Sequence, residues 1–273
     1  IEADYLVLAI GHSAYDTYRM LIKRNVQFRT KNFAIGHRIE HEQKLINKAQ
    51  WGREKLAGVK AAEYFLTNKT NSGHSVYSFC MCPGGTVVPA AAFGNKSVVN
   101  GMSQYKRDGK YANSGLVVGV SPDALVGQTC KPVEILDWMD NLEEKFYAFS
   151  NSYELPAMKI SSYMHFNKNE EKLNGSYSLG MRNAELYKMV PKIISKSISE
   201  SLKMFSRKIN GFDKGIIMGL ENKTSSPLQV IREKNGKCEG FENLYFVGEG
   251  SGYAGGIISS AADGVKCAIG ICE

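Results

Sequence analysis

No run of residues in this chain is apolar for the length that a bilayer-spanning helix needs, so a membrane partner is not expected. Cysteine is scarce. Six in 273 residues, Cys80, Cys82, Cys130, Cys238, Cys267 and Cys272, are too few for a disulfide framework, which points to a reducing compartment and a cytoplasmic location. No secretory leader opens the chain either, because "IEADYLVLAIG" already reads as a strand. A chain that starts inside an element, without an initiator Met, is expected to be a fragment of something longer. The formal net charge is +7, yet no block of five or more basic residues forms, so a dispersed, solvated surface is expected and nucleic acid is not. Repeats, low-complexity segments and flexible linkers are missing too. What remains, 43% hydrophobic and 22% charged, is the composition of a globular protein long enough to bury a substantial core.

The pattern changes three times along the chain. Asp4 to Ile10 is a continuous apolar run ending at Gly11, the pattern of a strand buried on both faces. Ser13 is then placed to cap a helix carrying Tyr15, Tyr18, Met20, Leu21 and Ile22. From Phe28 to Ser121 short strands alternate with Gly, Asn and Pro: "FAIGHRIEH", "HSVYSFCMC", "TVVPAAAF", "KSVVNGMS" and "GLVVGVS", interrupted by the helical "EQKLINKAQWG". Two helices follow. "PVEILDWMDNLEEKFYAFS" has Pro132 suited to its first turn, and "VPKIISKSISESLKMFSRKI" places Ile194, Ile198, Leu202, Phe205 and Ile209 at spacings of 4, 4, 3 and 4, a single buried stripe. Strands return at "GIIMGLEN" and "PLQVIRE", and the chain closes on "LYFVGEGSGYAGGIISSAADGVKCA".

That closing stretch is a strand, a glycine-rich turn and a helix. Such a turn points free backbone N–H groups and the positive end of a helix dipole at one spot, which attracts negative charge. Glycine lets a ligand lie against the backbone, and Ala261, Ala262 and Gly264 would let the helix pack closely on its sheet. Glu249, just past the strand, is placed to accept hydrogen bonds from a hydroxylated ligand. An ordinary tight turn with no ligand stays equally open on these residues alone.

The segment "LYFVGEGSGYAGGIISSAADG" closely resembles the C-terminal flavin-binding segment of two-domain FAD-dependent oxidoreductases, and "ADYLVLAIGHSAYDTYRML" resembles their strand ending in Ala-Thr-Gly, here Ala9-Ile10-Gly11. With "SFCMCPGGTVVPAA", "NGMSQYKRDGKYANSGLVVGV" and "ENKTSSPLQVIRE", the likeness extends over nearly the whole chain, to the uncharacterised FAD-dependent dehydrogenase family, also described as NAD-utilising. The resemblance implies an α/β (α+β mixed) fold: a partial, Rossmann-like FAD-binding domain from residues 1–27 and 238–273, and an inserted β-rich and helical substrate domain over 28–237. It implies an oxidoreductase that transfers hydride through flavin N5 to or from an unidentified small molecule, with NAD(P) as a conceivable co-substrate although no motif specifies a nicotinamide site. It implies cofactor contacts at Gly11, Gly248, Glu249, Gly250, Gly255, Gly256 and Ile257, and at Thr224, Ser225 and Ser226 near the ring edge. The GxGxxG fingerprint of the family's N-terminal half is missing, so these residues alone are expected to bind FAD weakly or not at all and to be inactive.

The remaining candidates are thinner. His12, after the Gly11 turn, reads as an acid or base facing flavin or substrate, or as a helix-entry residue; Arg107 reads as an anchor for an anionic substrate, or as a solvated turn residue. A Cys-x-Cys in strand register puts Cys80 and Cys82 on one face without the second pair a structural zinc site needs, so buried, inert thiols are expected and no metal is assigned. His37, His41, His74 and His165 have no metal-ligand spacing. Two rival functions stand beside the dehydrogenase: a flavoprotein acting on tRNA, suggested by the charge, and a non-catalytic flavin-binding interaction protein.

Overall fold

The structure is a computed structural model and describes residues 3–168 and 170–272. The chain divides into two compact units, the first from residues 1–33, 120–139 and 223–273, the second from 34–119 and 140–222. Residues 28–33, 120–139 and 223–237, read from the sequence as part of one inserted stretch, therefore group with the chain ends. Elements are numbered in chain order.

The first unit contains β1 (Leu6–Leu8), α1 (Tyr15–Lys23), β2 (Phe28–Thr30), α3 (Pro122–Val126), β12 (Leu228–Val230), β13 (Leu244–Phe246) and α8 (Ile257–Cys272). Strand β1 lies parallel to β13, Leu6 opposite Leu244 and Leu8 opposite Phe246, while β12 runs antiparallel to β2. Three rings tie these pieces together. Tyr18 of α1 stacks on Phe246 of β13 at 6.2 Å, and Phe28 of β2 meets both edge-on at 5.6 and 5.9 Å.

Three expectations for this unit are corrected. The first strand is shorter than the apolar run, and Leu6 and Val7 are about half exposed; β13 is its one strand partner among the described residues. Helix α1 starts from Ala14 with no side-chain cap, so Ser13 does not fill that role. Helix α8 does not pack through its small residues: Ala261 and Ala262 are exposed, and its buried contact is Cys267, against Tyr245 and Val247.

The second unit contains β3 (Phe33–Glu42), α2 (Gln43–Trp51), β4 (Thr67–Lys69), β5 (Ser75–Cys82), β6 (Gly85–Pro89), β7 (Val99–Ser103), β8 (Tyr111–Val120), β9 (Leu155–Lys159), α5 (Ile160–His165), β10 (Met181–Asn183), α6 (Leu186–Met189), α7 (Lys192–Lys208) and β11 (Ile216–Glu221); α4 (Pro132–Ala148) begins in the span of the first unit and ends in that of the second. Seven strands form one mixed sheet in the order β10-β9-β11-β3-β8-β5-β4, parallel at β10-β9, antiparallel at β9-β11-β3 and β8-β5-β4. The fold class is thus mixed α/β, as expected. Central strand β3 approaches β8 so closely at Gly36 that a Cβ there would lie 2.0 Å from the Leu116 carbonyl oxygen.

Helix α7 carries its predicted stripe. Ile194, Ile198, Leu202 and Phe205 are fully buried, and Ile209 closes the stripe just past the helix end. Phe205 then meets Phe212 edge-on, which in turn faces Tyr64 and His41. Leu202→Ala leaves a cavity at full burial and is expected to cost about 2–5 kcal/mol in urea unfolding followed by circular dichroism. A loss below about 1 kcal/mol would mean that the stripe is not core.

Candidate functional site

Two turns meet in the first unit. At Gly11 (φ 65°) the chain leaves β1 for α1; at Gly248 (φ 73°) it leaves β13, makes one tight turn through Glu249–Ser251, and turns again at Gly252 (φ 81°). These backbone angles favour glycine, and they set the two turns side by side. The Tyr18 hydroxyl joins them, donating to the Gly250 carbonyl at 2.7 Å and lying 3.2 Å from the Gly11 carbonyl. Burial holds the Tyr18 pKa well above the usual phenol range, so the hydroxyl keeps its proton and its role as donor.

The space around each glycine separates two duties. A Cβ on Gly250 would lie 2.5 Å from the Gly11 carbonyl oxygen, and one on Gly252 would lie 2.2 Å from the Leu228 carbonyl oxygen, so these two glycines are explained by chain packing on chain. A Cβ on Gly11 or Gly255 would meet nothing within 4 Å; one on Gly248 or Gly256 would meet only serine atoms at 3.7 and 3.9 Å. Gly11 and Gly255 leave open space against the backbone, while Gly248 and Gly256 are in ordinary contact distance of those serines. Gly248, Gly255 and Gly256 border the start of α8, where Ile257 stands 89% exposed and the helix dipole presents its positive end.

Polar groups hold these turns in place. The Gly248 N–H donates to Asp263 Oδ2 at 2.8 Å, while Arg232 donates to Asp263 Oδ1 at 2.7 Å and to the Phe246 carbonyl at 2.8 Å. Lys31 donates to the Gly252 carbonyl at 2.7 Å. At the centre, His12 Nδ1 lies 3.0 Å from Glu249 Oε2. The His12 ring beside it holds the Glu249 carboxyl below the usual carboxylate range, against the opposing effect of partial burial. His12 Nε2 is buried without a hydrogen-bond partner. One oxygen of the acid read as a ligand acceptor is therefore already engaged, by the residue read as an acid or base.

The 223–227 turn belongs to the same unit. The Ser226 hydroxyl donates to the Leu228 carbonyl at 2.9 Å and receives the Leu228 N–H at 3.2 Å, a local turn that occupies it. Thr224 is buried and Ser225 half-buried. Lys223 donates to the Tyr15 hydroxyl at 2.7 Å and sits 3.9 Å over its ring.

Arg107 lies in the second unit, exposed at φ 53° and paired with exposed Glu63. That unit holds a cavity of about 690 Å³ lined by Glu40, Lys110, Lys159, Tyr177 and Lys214, among others, and Arg107 is not part of it. Inside the sheet, β3 buries four ionisable groups in sequence. His37 Nδ1 is 2.6 Å from the Gly219 carbonyl oxygen and His41 Nε2 is 2.8 Å from that of Phe212; burial pushes both rings down to about 4, so they are neutral donors. Glu40 accepts from the Ser176 backbone and hydroxyl, and burial pushes it up to about 7. Arg38 donates to Asn113 at 2.9 Å, to Glu221 at 3.3 Å and to the Cys80 carbonyl at 2.7 Å.

The sequence reading missed Tyr18, Asp263, Arg232 and Arg38. Asp263 was findable, since it stands fifteen positions after Gly248 on the closing helix; a buried Arg in a ten-residue strand gives no local signal. The expected pair of inert, buried thiols is also corrected. The β5–β8 register shifts between Phe79 and Cys82, Cys80 takes a φ of 48°, and the bulge leaves Cys80 exposed while Cys82 is buried. Among the described residues no group of three or more His, Cys, Asp or Glu could hold a metal.

Two measurements check this geometry. Gly252→Ala is expected to lower the urea midpoint sharply, by about 2 kcal/mol or more, whereas Gly255→Ala stays within about 0.5 kcal/mol of the parent. Equal effects would erase the division between packing and open glycines. For Glu40, the folded pKa is raised from 4.5 to about 7, so its contribution is full below pH 4.5 and is lost as pH rises toward 7. Stability of the parent should therefore fall relative to Glu40→Gln across that window, by a few kcal/mol, and a constant difference between the two would contradict the assignment.

Comparison with known proteins adds the relationship. Residues 32–224 match the family model described as FAD-dependent protein, C-terminal domain-like, a span that nearly coincides with the second unit. An uncharacterized protein of Clostridium beijerinckii (strain ATCC 51743 / NCIMB 8052) is 40% identical over 281 aligned positions, which take in 100% of this chain and 52% of the relative. The chain thus spans about half the length of that curated relative. The match covers most of the chain, and the protein belongs to the family of FAD-dependent proteins defined by this C-terminal domain.

Proposed function

We propose that the chain is the C-terminal part of an FAD-dependent oxidoreductase, in which the first unit supplies the flavin-facing half of the cofactor site and the second is the substrate domain. The observation that carries this is the open backbone at Gly11 and Gly255, with Gly248 and Gly256 beside them meeting serine side chains alone, gathered on two turns around a helix start and an acid. A flat, negatively charged cofactor fits that chemistry, because it needs close backbone approach and a positive helix end.

Gly11, Gly248, Gly255, Gly256 and Ile257 would let the ring system lie along the backbone, with Thr224 and Ser225 near its edge; Gly250 and Ser226 would act by holding the turns. Glu249 would accept from the ribityl hydroxyls while it keeps His12 oriented. Bound FAD supplies hydride acceptance and donation at its N5. The α8 N-terminus stabilises negative charge next to it. His12, with Nδ1 3.0 Å from Glu249, can take or give a proton at Nε2, the ring nitrogen not directed at that acid. The substrate is a small molecule of unassigned class, and nothing about the two turns favours a nicotinamide as co-substrate.

The test uses the longer form of the protein that includes the N-terminal half. Gly255→Val should leave the thermal midpoint of the flavin-free protein unchanged and weaken FAD retention, read by visible flavin absorbance after gel filtration, about tenfold or more, equivalent to about 1.4 kcal/mol or more. Unchanged flavin content would remove the first unit from the cofactor site. The 273 residues alone should purify colourless; a yellow preparation would show that the half-site suffices.

A further inference from the structure

The β5 bulge places two thiols in different surroundings two residues apart. Cys80 is exposed, at a left-handed φ that costs a non-glycine residue about 1 kcal/mol and persists because the neighbours enforce it. Cys82 is buried, with its thiol 3.4 Å from the Cys80 carbonyl oxygen and 3.3 Å from Arg38 Nη2. Even at full extension, residues two apart lie no more than about 7 Å from Cα to Cα, at the upper edge of the range that a disulfide bridges.

The buried charge beside them is not fully matched. Arg38 is fully buried, and its ion-pair partner Glu221, equally buried, is pushed up to about 7 by desolvation, so the carboxylate gives up its charge near neutrality. Glu221 Oε1 and Asn113 Nδ2 are buried without partners in the same cluster. Tyr64, hydrogen-bonded to Ser114 at 2.8 Å, is raised to about 12 by burial and stays neutral. A guanidinium with a half-titrated counter-ion favours a thiolate nearby.

We propose that Cys80 and Cys82 form a redox-active dithiol in which Cys80 attacks and Cys82 resolves, exchanging two electrons with a disulfide substrate. The hydrogen bond from Cys82, and then the charge of Arg38, draw the Cys80 pKa down, while the same contact and burial push that of Cys82 up. The order of attack follows from exposure, since Cys80 is open to a disulfide substrate and Cys82 is buried; the two pKa directions agree with it. The Cys80 thiolate, its proton already released to water, attacks one sulfur of R–S–S–R; that bond breaks, Cys80–S–S–R forms, and RS⁻ leaves and is protonated. The Cys82 thiol then loses its proton to solvent and attacks the Cys80 sulfur, and the second RS⁻ leaves and is protonated. Two cysteines are oxidised to one disulfide, and R–S–S–R is reduced to two RSH. Arg38 is a positioning residue, its Nη2 aimed at the sulfur that must become a thiolate in the second step.

This inference stands apart from the flavin reading, and its test needs no cofactor. The 273-residue chain is treated with glutathione disulfide and mapped by mass spectrometry. The expected product is a Cys80–Cys82 disulfide without lasting glutathione at either position, whereas Cys82→Ser should accumulate a stable glutathionyl adduct on Cys80, and Cys80→Ser should leave Cys82 unmodified. In the parent, iodoacetamide at pH 6 should label Cys80 about tenfold faster than the other exposed thiol, Cys272. The proposal is overturned by glutathionylation of Cys272 while Cys80 and Cys82 stay reduced, by an adduct that persists on Cys80 in the parent as it does in Cys82→Ser, or by equal labelling of Cys80 and Cys272. The parent protein alone decides the matter if either variant fails to fold.

Discussion

The second unit depends on one buried cation. Arg38 lies in the central strand β3 with no exposed surface, and an uncompensated guanidinium there would cost several kcal/mol. Acceptors come from four other strands: Asn113 of β8, Asn100 of β7, Glu221 of β11 and the Cys80 carbonyl of β5. Each contact restricts its own strand. Gly101 has to be glycine because a Cβ would lie 2.0 Å from Arg38 Nη2, and at Gly115 a Cβ would press on the Glu221 side chain at 3.3 Å. The Cys80 bulge follows from the same demand, since it turns a carbonyl oxygen toward the guanidinium instead of along the ladder. A geometry imposed by one charge thereby sets an exposed thiol beside a buried one.

In the first unit the constraint is steric. Two glycine turns approach to within van der Waals contact, and a tyrosine from the adjoining helix closes them with its hydroxyl. Packing of this closeness uses up Gly250 and Gly252, while Gly11 and Gly255 remain open. The Arg232–Asp263 pair serves the same end, for it takes the Gly248 N–H and fixes where α8 begins relative to β13. A glycine-rich sequence thus holds two kinds of glycine, which the residue letters alone do not distinguish.

Periodicity made the long elements legible. The α7 stripe, the run of β3 and the helices α2 and α4 stand where apolar spacing puts them, because burial of one face is a repeated, local signal. Short elements were not legible: β9, α5 and β10 carry three to six residues each, too few for any period to emerge. The first strand misled for a different reason. Its apolar run predicts two buried faces, but burial depends on what covers a strand, and among the described residues β1 has β13 alone beside it. Of the candidate site, glycine and acid positions were visible as letters in a turn. The His12–Glu249 contact joins residues 237 positions apart and needed the fold to appear.

The buried ionisable groups of β3 and β11 also act on one another through pH. Glu40 and Glu221 are raised to about 7, so between about 4.5 and 7 the folded chain binds more protons than the unfolded one and stability falls as pH rises. His37 and His41 are lowered to about 4, so between about 4 and 6.5 the unfolded chain binds more protons and stability rises with pH. Two groups of each sign overlap from about 4.5 to 6.5, where their slopes oppose and largely cancel. Sensitivity from these four is therefore displaced to the two ends, to the carboxyls just below neutrality and to the imidazoles in acid. Burying carboxyls and imidazoles together thus gives the folded chain a broad plateau between those ends.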